Sequence, residues 1–157
     1  MMEWKKLLSS RRLGKRGKEE VTLGRSPFQQ DFDRVIFSSA FRRLQDKAQV
    51  FPLPSSDYVR TRLTHSLEAA SIGRSLGGIA GVSICRNFEV GETQPSDIGA
   101  IVAAASLAHD IGNPPVGHCG EDAIQHWFTH SEIALEAAWR MSEEERRDIE
   151  HYEGNAQ

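Results

Sequence analysis

Residues 96–118 read SDIGAIVAAASLAHDIGNPPVGH, and this stretch decides the fold. Ser96 is an N-cap, and Ile98, Ile101, Val102, Ala105 and Ala108 make the following helix apolar on nearly every side. Such a helix belongs in the middle of a domain, because no face of it is suited to water. Gly112 and then Pro114-Pro115 stop it. The apolar run Ile98 to Ala108 is too short to span a bilayer and is broken by Gly99 and Ser106. The expectation is a buried central helix over about 97–110, with the rest of the chain packed around it.

Helical signals extend in both directions. Upstream, Ser26-Pro27-Phe28-Gln29 combines an N-cap, a first-position proline and a glutamine three residues after the cap. Phe32, Val35, Ile36, Ala40, Leu44 and Ala48 then keep helical spacing to about Gln49, and Pro52, Pro54 and Ser55-Ser56-Asp57 make a loop. Thr64 caps a helix with Ile72, Leu76, Ile79 and Ala80 on one stripe. Gly73, Gly77 and Gly81, four residues apart, give up helix propensity and let a neighbouring helix approach closely. Downstream, Ala123, Ile124, Trp127 and Phe128 mark a short amphipathic helix, residues 132–141 another, and the Ser142–Glu145 capping box a last, charged one. Strand-like alternation is confined to Gln49-Val50-Phe51. The fold class is all-α, with a basic N-terminal arm over 1–25 and one domain over 26–157.

Size and composition agree with this. A chain of 157 residues with 39% hydrophobic and 26% charged residues is long enough for a single buried core and is neither disordered nor fibrous. Charged residues lead into more charge at the N-terminus, where Lys5, Lys6, Arg11 and Arg12 stand, so no signal peptide is read there. Cys85 and Cys119 form no CxxC pair and read as reduced thiols, Cys119 as a small buried residue, in a cytoplasmic protein without a membrane partner. The net charge of −3 is uneven: residues 1–62 carry 14 Lys/Arg against 7 Asp/Glu, and residues 63–157 carry 5 against 15. The basic front half suits a polyanion, either a nucleotide's phosphates or a nucleic acid, or is a solvated charged surface.

His109-Asp110 closes the most buried helix. An aspartate there meets the unfavourable end of the helix dipole, and a buried carboxylate needs a partner. Two readings satisfy it. Asp110 caps the loop amides around Gly112 and Asn113 with His109 bonded to the core, or His109 and Asp110 bind a divalent cation. His65, near the start of its own helix, completes a His65, His109, Asp110 set of the imidazole-plus-carboxylate kind that first-row metals take. Beyond the Pro-Pro loop, His118 and Glu121 stand at i and i+3. They form either a helical ion pair or a histidine oriented by a carboxylate for acid-base work.

The chain resembles the HD-domain phosphohydrolases and, within them, the deoxyguanosine triphosphate triphosphohydrolase family. The resemblance rests on Phe41-Arg42-Arg43-Leu44-Gln45, Gln49-Val50-Phe51-Pro52, Arg60 through Glu68, His109 through Pro115, Gly117-His118 and the final Glu153-Gly154-Asn155-Ala156-Gln157. It implies that His65, His109 and Asp110 are metal ligands for Mg2+ or Mn2+ (other first-row metals being possible), and that His118 is the catalytic histidine with Glu121 as its carboxylate. It further implies that Arg62 contacts the triphosphate and Gln49 reads the sugar 3′-hydroxyl. The implied reaction converts deoxyguanosine triphosphate and water to deoxyguanosine and triphosphate, in a homo-oligomer. His126 and His130 match no motif of the family and read as surface or helix-packing residues.

One departure from the family's pattern stands out. Its metal set includes a further aspartate on a later helix, and residues 1–157 offer no match for it. The resemblance therefore implies the N-terminal part of a longer enzyme, an HD domain incomplete at its C-terminal end, inactive or slow by itself, with apolar surface around 97–110 that favours association. Two other readings use the same features: a non-catalytic nucleotide- or nucleic-acid-binding module built on the basic half, or another HD-type phosphodiesterase such as a (p)ppGpp hydrolase.

Overall fold

The computed structural model describes residues 3–14, 24–47 and 61–154. Along them run α1 (Trp4–Leu7), α2 (Pro27–Phe37), α3 (Ser39–Arg42), a 3₁₀ turn (Arg43–Asp46), α4 (Arg62–Asn87), α5 (Pro95–Ala108), α6 (His118–His130), α7 (Glu132–Ala138) and α8 (Glu143–Glu150). No strand occurs among the described residues, and the fold is all-α. No described helix is long and apolar enough to cross a membrane.

Local hydrogen bonding sets most of these boundaries. Ser26 Oγ accepts from Gln29 N at 3.3 Å while Gln29 Oε1 accepts from Ser26 N at 3.1 Å, closing the capping box at the start of α2. The expected continuation toward Gln49 fails at Ser38, whose backbone turns extended (φ −70°, ψ 144°). Its hydroxyl donates to Val35 O at 2.7 Å and accepts from Phe41 N at 3.2 Å, so one serine ends α2 and caps α3. Helix α4 starts a turn earlier than its apolar pattern suggests, because Thr61 rather than Thr64 is the cap and accepts from Thr64 N at 3.2 Å. This shift puts Arg62 in the first turn. Helix α5 likewise begins at Pro95, with Gln94 N donating to Asp97 Oδ2 at 2.9 Å, so Gln94 and not Ser96 is its cap. The last capping box, Ser142 with Glu145, forms as expected.

The central packing is α4 against α5. A Cβ built on Gly77 would lie 3.0 Å from Gly99 Cα and 3.1 Å from Ile98 O, and one on Gly81 would lie 2.9 Å from Pro95 Cα. Backbone meets backbone here, which is what the four-residue glycine spacing permits. The buried core joins Phe41, Leu44, Ala70, Ala103 and Leu107, with Phe32, Val35, Ile36, Leu63 and Ile111 packed against it.

The apolar stripe on the other side of α4 is not in this core: Ile72, Leu76 and Ile79 are 62%, 60% and 71% exposed. Helix α4 is therefore apolar on two faces, and the glycine face is the one buried within the described residues. On α5, Ile98, Ala100, Ala103 and Leu107 are buried, Ile101 and Val102 half-buried and Ala105 exposed. The arm contributes contacts of its own. Trp4 lies 5.9 Å from Phe88 between ring centroids, and Arg12 Nε donates to Asp31 Oδ1 at 3.0 Å.

Candidate functional site

The end of α5 and the start of α4 bring His65, His109 and Asp110 together, with one potential ligand atom from each lying within 4.8 Å of the others. His109 is the C-cap of α5, so the expected helix over 97–110 ends just before the dipeptide and frees both side chains. The His65 and His109 rings meet edge to face at 5.3 Å.

The tautomer of His109 follows from its partner. Its Nδ1 is 2.7 Å from Ser106 O, and a carbonyl only accepts, so Nδ1 carries the proton. In the neutral ring Nε2 is then an acceptor, yet it faces Asp110 Oδ2, another acceptor, at 3.4 Å. Asp110 Oδ2 is buried without a hydrogen-bond partner among the described residues. Two lone-pair atoms held face to face, with the second imidazole, His65, beside them, call for a cation between them. The donor set fits a divalent first-row metal or magnesium.

The other oxygen of Asp110 is well satisfied. Arg62 Nη1 donates to Asp110 Oδ1 at 2.9 Å and Asn113 Nδ2 donates to the same atom at 2.7 Å. Arg62 thus supplies the positive charge that an aspartate beyond a helix C-terminus requires. Its guanidinium also approaches the loop, where a Cβ on Gly117 would stand 3.3 Å from Nη2. Gly117 caps α6 at φ 59°, ψ −131°, a conformation open to glycine, and this directs the first turn of α6 toward the cluster.

On that turn His118 Nδ1 lies 2.9 Å from Glu121 Oε2. Glu121 is buried, with its side chain 9% exposed, whereas that of His118 is 88% exposed. The hydrogen bond to Glu121, and then its charge, raise the His118 pKa above the ordinary 6.5. The same hydrogen bond, followed by one from Gly154 N at 2.9 Å, lowers the Glu121 pKa below 4.5. An exposed imidazole backed by a buried carboxylate is equipped to move protons at its free Nε2.

Sequence reasoning missed the supporting groups. Lys47 Nζ donates to Asn113 O at 2.7 Å, Tyr152 Oη donates to Gly112 O at 2.9 Å and Gln125 Nε2 donates to Tyr152 O at 2.9 Å. Gly154 packs on Asn113 and Glu121 so closely that a Cβ would collide with Asn113 Oδ1. The only sequence signal among these was the glycine of the final motif. Cys119, expected to be buried, is exposed, because the first turn of α6 presents it to solvent beside His118. Gln49 lies outside the described residues.

An all-α bundle whose central helix ends in His-Asp beside a histidine from a neighbouring helix holds a candidate metal-binding cluster. The HD-domain signature matches residues 62–152, and the chain belongs to the HD-domain family. HD domains bind divalent metals, and the His65, His109, Asp110 cluster lies within the matched residues. The chain is 54% identical over 158 residues to a deoxyguanosinetriphosphate triphosphohydrolase-like protein of Pseudomonas aeruginosa, covering 99% of this chain and 35% of that protein. It is 48% identical over 160 residues to one of Synechocystis and 42% identical over 166 residues to one of Listeria monocytogenes, each time covering 99% of this chain and 36% of the relative. The chain thus spans about a third of the length of the curated relatives it matches.

Proposed function

We propose that the chain carries the metal-binding and proton-transfer groups of a deoxynucleoside triphosphate triphosphohydrolase, which takes deoxyguanosine triphosphate and water to deoxyguanosine and inorganic triphosphate. The observation that carries this reading is Arg62, which bonds Asp110 of a cluster that calls for a cation and whose charge also acts on Glu121 of the histidine–carboxylate pair. The names of the relatives, deoxyguanosinetriphosphate triphosphohydrolase-like proteins, support the substrate class.

His65, His109 and Asp110 would hold the ion. Lewis-acid stabilisation of phosphate charge and a more acidic water are what Mg2+ or Mn2+ supplies when bound there. In the reaction, water adds to the α-phosphorus and the bond to the sugar oxygen breaks. That oxygen leaves as the nucleoside hydroxyl. His118, fixed through Nδ1 by Glu121, exchanges a proton through Nε2 with the attacking or the departing oxygen. Arg62 holds Asp110 in place and adds positive charge on the side of the loop, where triphosphate oxygens suit a guanidinium. Gln49 would contact the sugar 3′-hydroxyl.

The protein works in a reducing cytoplasm, in line with its two unpaired cysteines. It associates with copies of itself through exposed apolar surface such as the Ile72, Leu76, Ile79 stripe. The test is release of inorganic triphosphate from deoxyguanosine triphosphate by the full-length protein with millimolar Mn2+. Activity that disappears on chelation and in His109→Ala supports the reading. Metal-independent binding of oligonucleotides with steep salt dependence, and no hydrolysis, would replace it with the nucleic-acid-binding alternative.

A further inference from the structure

We propose that Lys47 is a positioning residue for the His65, His109, Asp110 cluster: acting through Arg62 and Asn113, it keeps one chosen oxygen of Asp110 turned toward the histidines. This rests on the reading of that cluster as the metal site of a phosphohydrolase.

Hydrogen bonds close a circuit around Asp110. Lys47 O accepts from Arg62 N at 2.9 Å, and Arg62 Nη1 donates to Asp110 Oδ1 at 2.9 Å. Asn113 Nδ2 donates to the same oxygen at 2.7 Å, and Lys47 Nζ donates to Asn113 O at 2.7 Å. Both donors to Asp110 are thus anchored on one residue, the first through its carbonyl and the second through its ammonium group. The anchor is itself fixed. Lys47 directly follows the 3₁₀ turn and its N donates to the carbonyl of Leu44, a core residue 1% exposed.

The circuit answers a need of the site. The two oxygens of a carboxylate are equivalent and its last torsion is soft, so an unconstrained aspartate presents either one to an ion. Here a turn of Asp110 would take the acceptor from both Arg62 and Asn113, in surroundings where all three residues are buried. Lys47 sets how far apart the backbones of those two donors stand, and so keeps both aimed at Oδ1 while Oδ2 faces His109 Nε2. Its carbonyl also satisfies an amide of the first turn of α4 that has no acceptor within the helix.

The charge of Lys47 by itself leads to the opposite expectation. An ammonium group beside a cation site repels the ion, so its removal would tighten metal binding. A positioning role requires that removal loosen it. The sign of the effect therefore separates the two.

The test is a Mn2+ titration of the full-length protein followed by electron paramagnetic resonance, which reads bound and free ion and not activity. Loss of an outer-shell partner weakens metal sites by ~10–100-fold; Lys47 acts one bond further out, so Lys47→Met should weaken binding about tenfold. Lys47→Arg keeps the charge and a donor and should recover most of the affinity. With Co2+ in place of Mn2+, the visible absorption reports ligand geometry and should differ between Lys47→Met and the unaltered protein, a change that a general loss of stability does not produce. Tyr152 Oη still holds the loop at Gly112 O, so circular dichroism should show Lys47→Met folded. Binding by Lys47→Met as tight as that of the unaltered protein, or tighter, would overturn the proposal. So would Lys47→Arg binding as weakly as Lys47→Met, or, should the methionine variant not fold, a folded Lys47→Arg that binds tenfold or more weakly than the unaltered protein. His109→Ala is the control and should abolish uptake. If it does so while Lys47→Met binds normally, the role of Lys47 falls and the phosphohydrolase reading stands; uptake that His109→Ala leaves unchanged overturns both.

Discussion

Arg62 Nη1 donates to Asp110 Oδ1 at 2.9 Å, and both side chains are almost fully buried, at 8% and 6% exposure. The two residues are 48 positions apart, one in the first turn of α4 and the other just past the end of α5. Asn113 completes the satisfaction of that oxygen, leaving Asp110 Oδ2 to the histidines. The pair therefore fixes which carboxylate oxygen is available to a metal.

Breaking this pair from one side strands a buried charge. Such losses cost ~3–5 kcal/mol, so Arg62→Ala without added divalent metal should lower the melting temperature by about 6–20 °C. The Arg62→Ala/Asp110→Asn double variant should recover part of the loss, since it removes the stranded charge. A melting temperature within 2 °C or so of the unaltered protein for Arg62→Ala would contradict the pairing.

His118 should titrate above its ordinary 6.5, and Glu121→Gln should return it toward that value. The stabilising contribution of His118 is complete below 6.5 and is lost as pH rises through its raised folded value. That of Glu121 is complete above 4.5 and is lost as pH falls through its lowered folded value. The stability difference between Glu121→Gln and the unaltered protein should therefore be largest between about pH 4.5 and 6.5. Two-dimensional NMR of the imidazole resonances measures the first point, and denaturant melts at several pH values the second.

Gly77 and Gly78 separate close packing from helix propensity. Alanine gains up to ~1 kcal/mol of propensity at either position. A Cβ at Gly77 meets the α5 backbone at 3.0 Å, whereas one at Gly78 meets nothing within 4 Å. Overpacking costs ~1–3 kcal/mol, so Gly77→Ala should destabilise and Gly78→Ala should stabilise by about 0.5–1 kcal/mol. Urea titrations with unchanged slope decide it, and equal effects at both positions would count against the α4–α5 contact.

Metal affinity at the His65, His109, Asp110 cluster should be weak in residues 1–157. Only one carboxylate stands among the three ligands, and hard cations gain affinity from more of them. Triphosphate release by this chain with millimolar Mn2+ should be slow or undetectable against a His109→Ala control. Robust activity that the control abolishes would mean that a further carboxylate is dispensable or supplied by another acidic residue.

In the full-length protein, His118→Ala should lower turnover ~10²–10⁴-fold while leaving metal content unchanged. A loss under tenfold, or a parallel loss of metal, would remove His118 from the proton-transfer role.

The sequence alone determined the all-α class, the Ser26–Gln29 and Ser142–Glu145 capping boxes, the glycine face of α4 and the candidate ligand types at His65, His109 and Asp110. Helical period, capping chemistry and the affinity of imidazole and carboxylate for cations act over one to four residues or through residue type, and so are written locally. Tertiary structure decided which of the two apolar faces of α4 is buried in the described residues, because only packing chooses the glycines over Ile72, Leu76 and Ile79. It also decided that Arg62 compensates Asp110, that Lys47 holds Asn113 and that Gly154 holds Glu121, across 48, 66 and 33 positions. Those bonds are made between groups that no period or spacing relates. They exist because the close approach of α4 and α5 and the turn at Gly117 bring distant backbone and side-chain groups to the same end of the bundle.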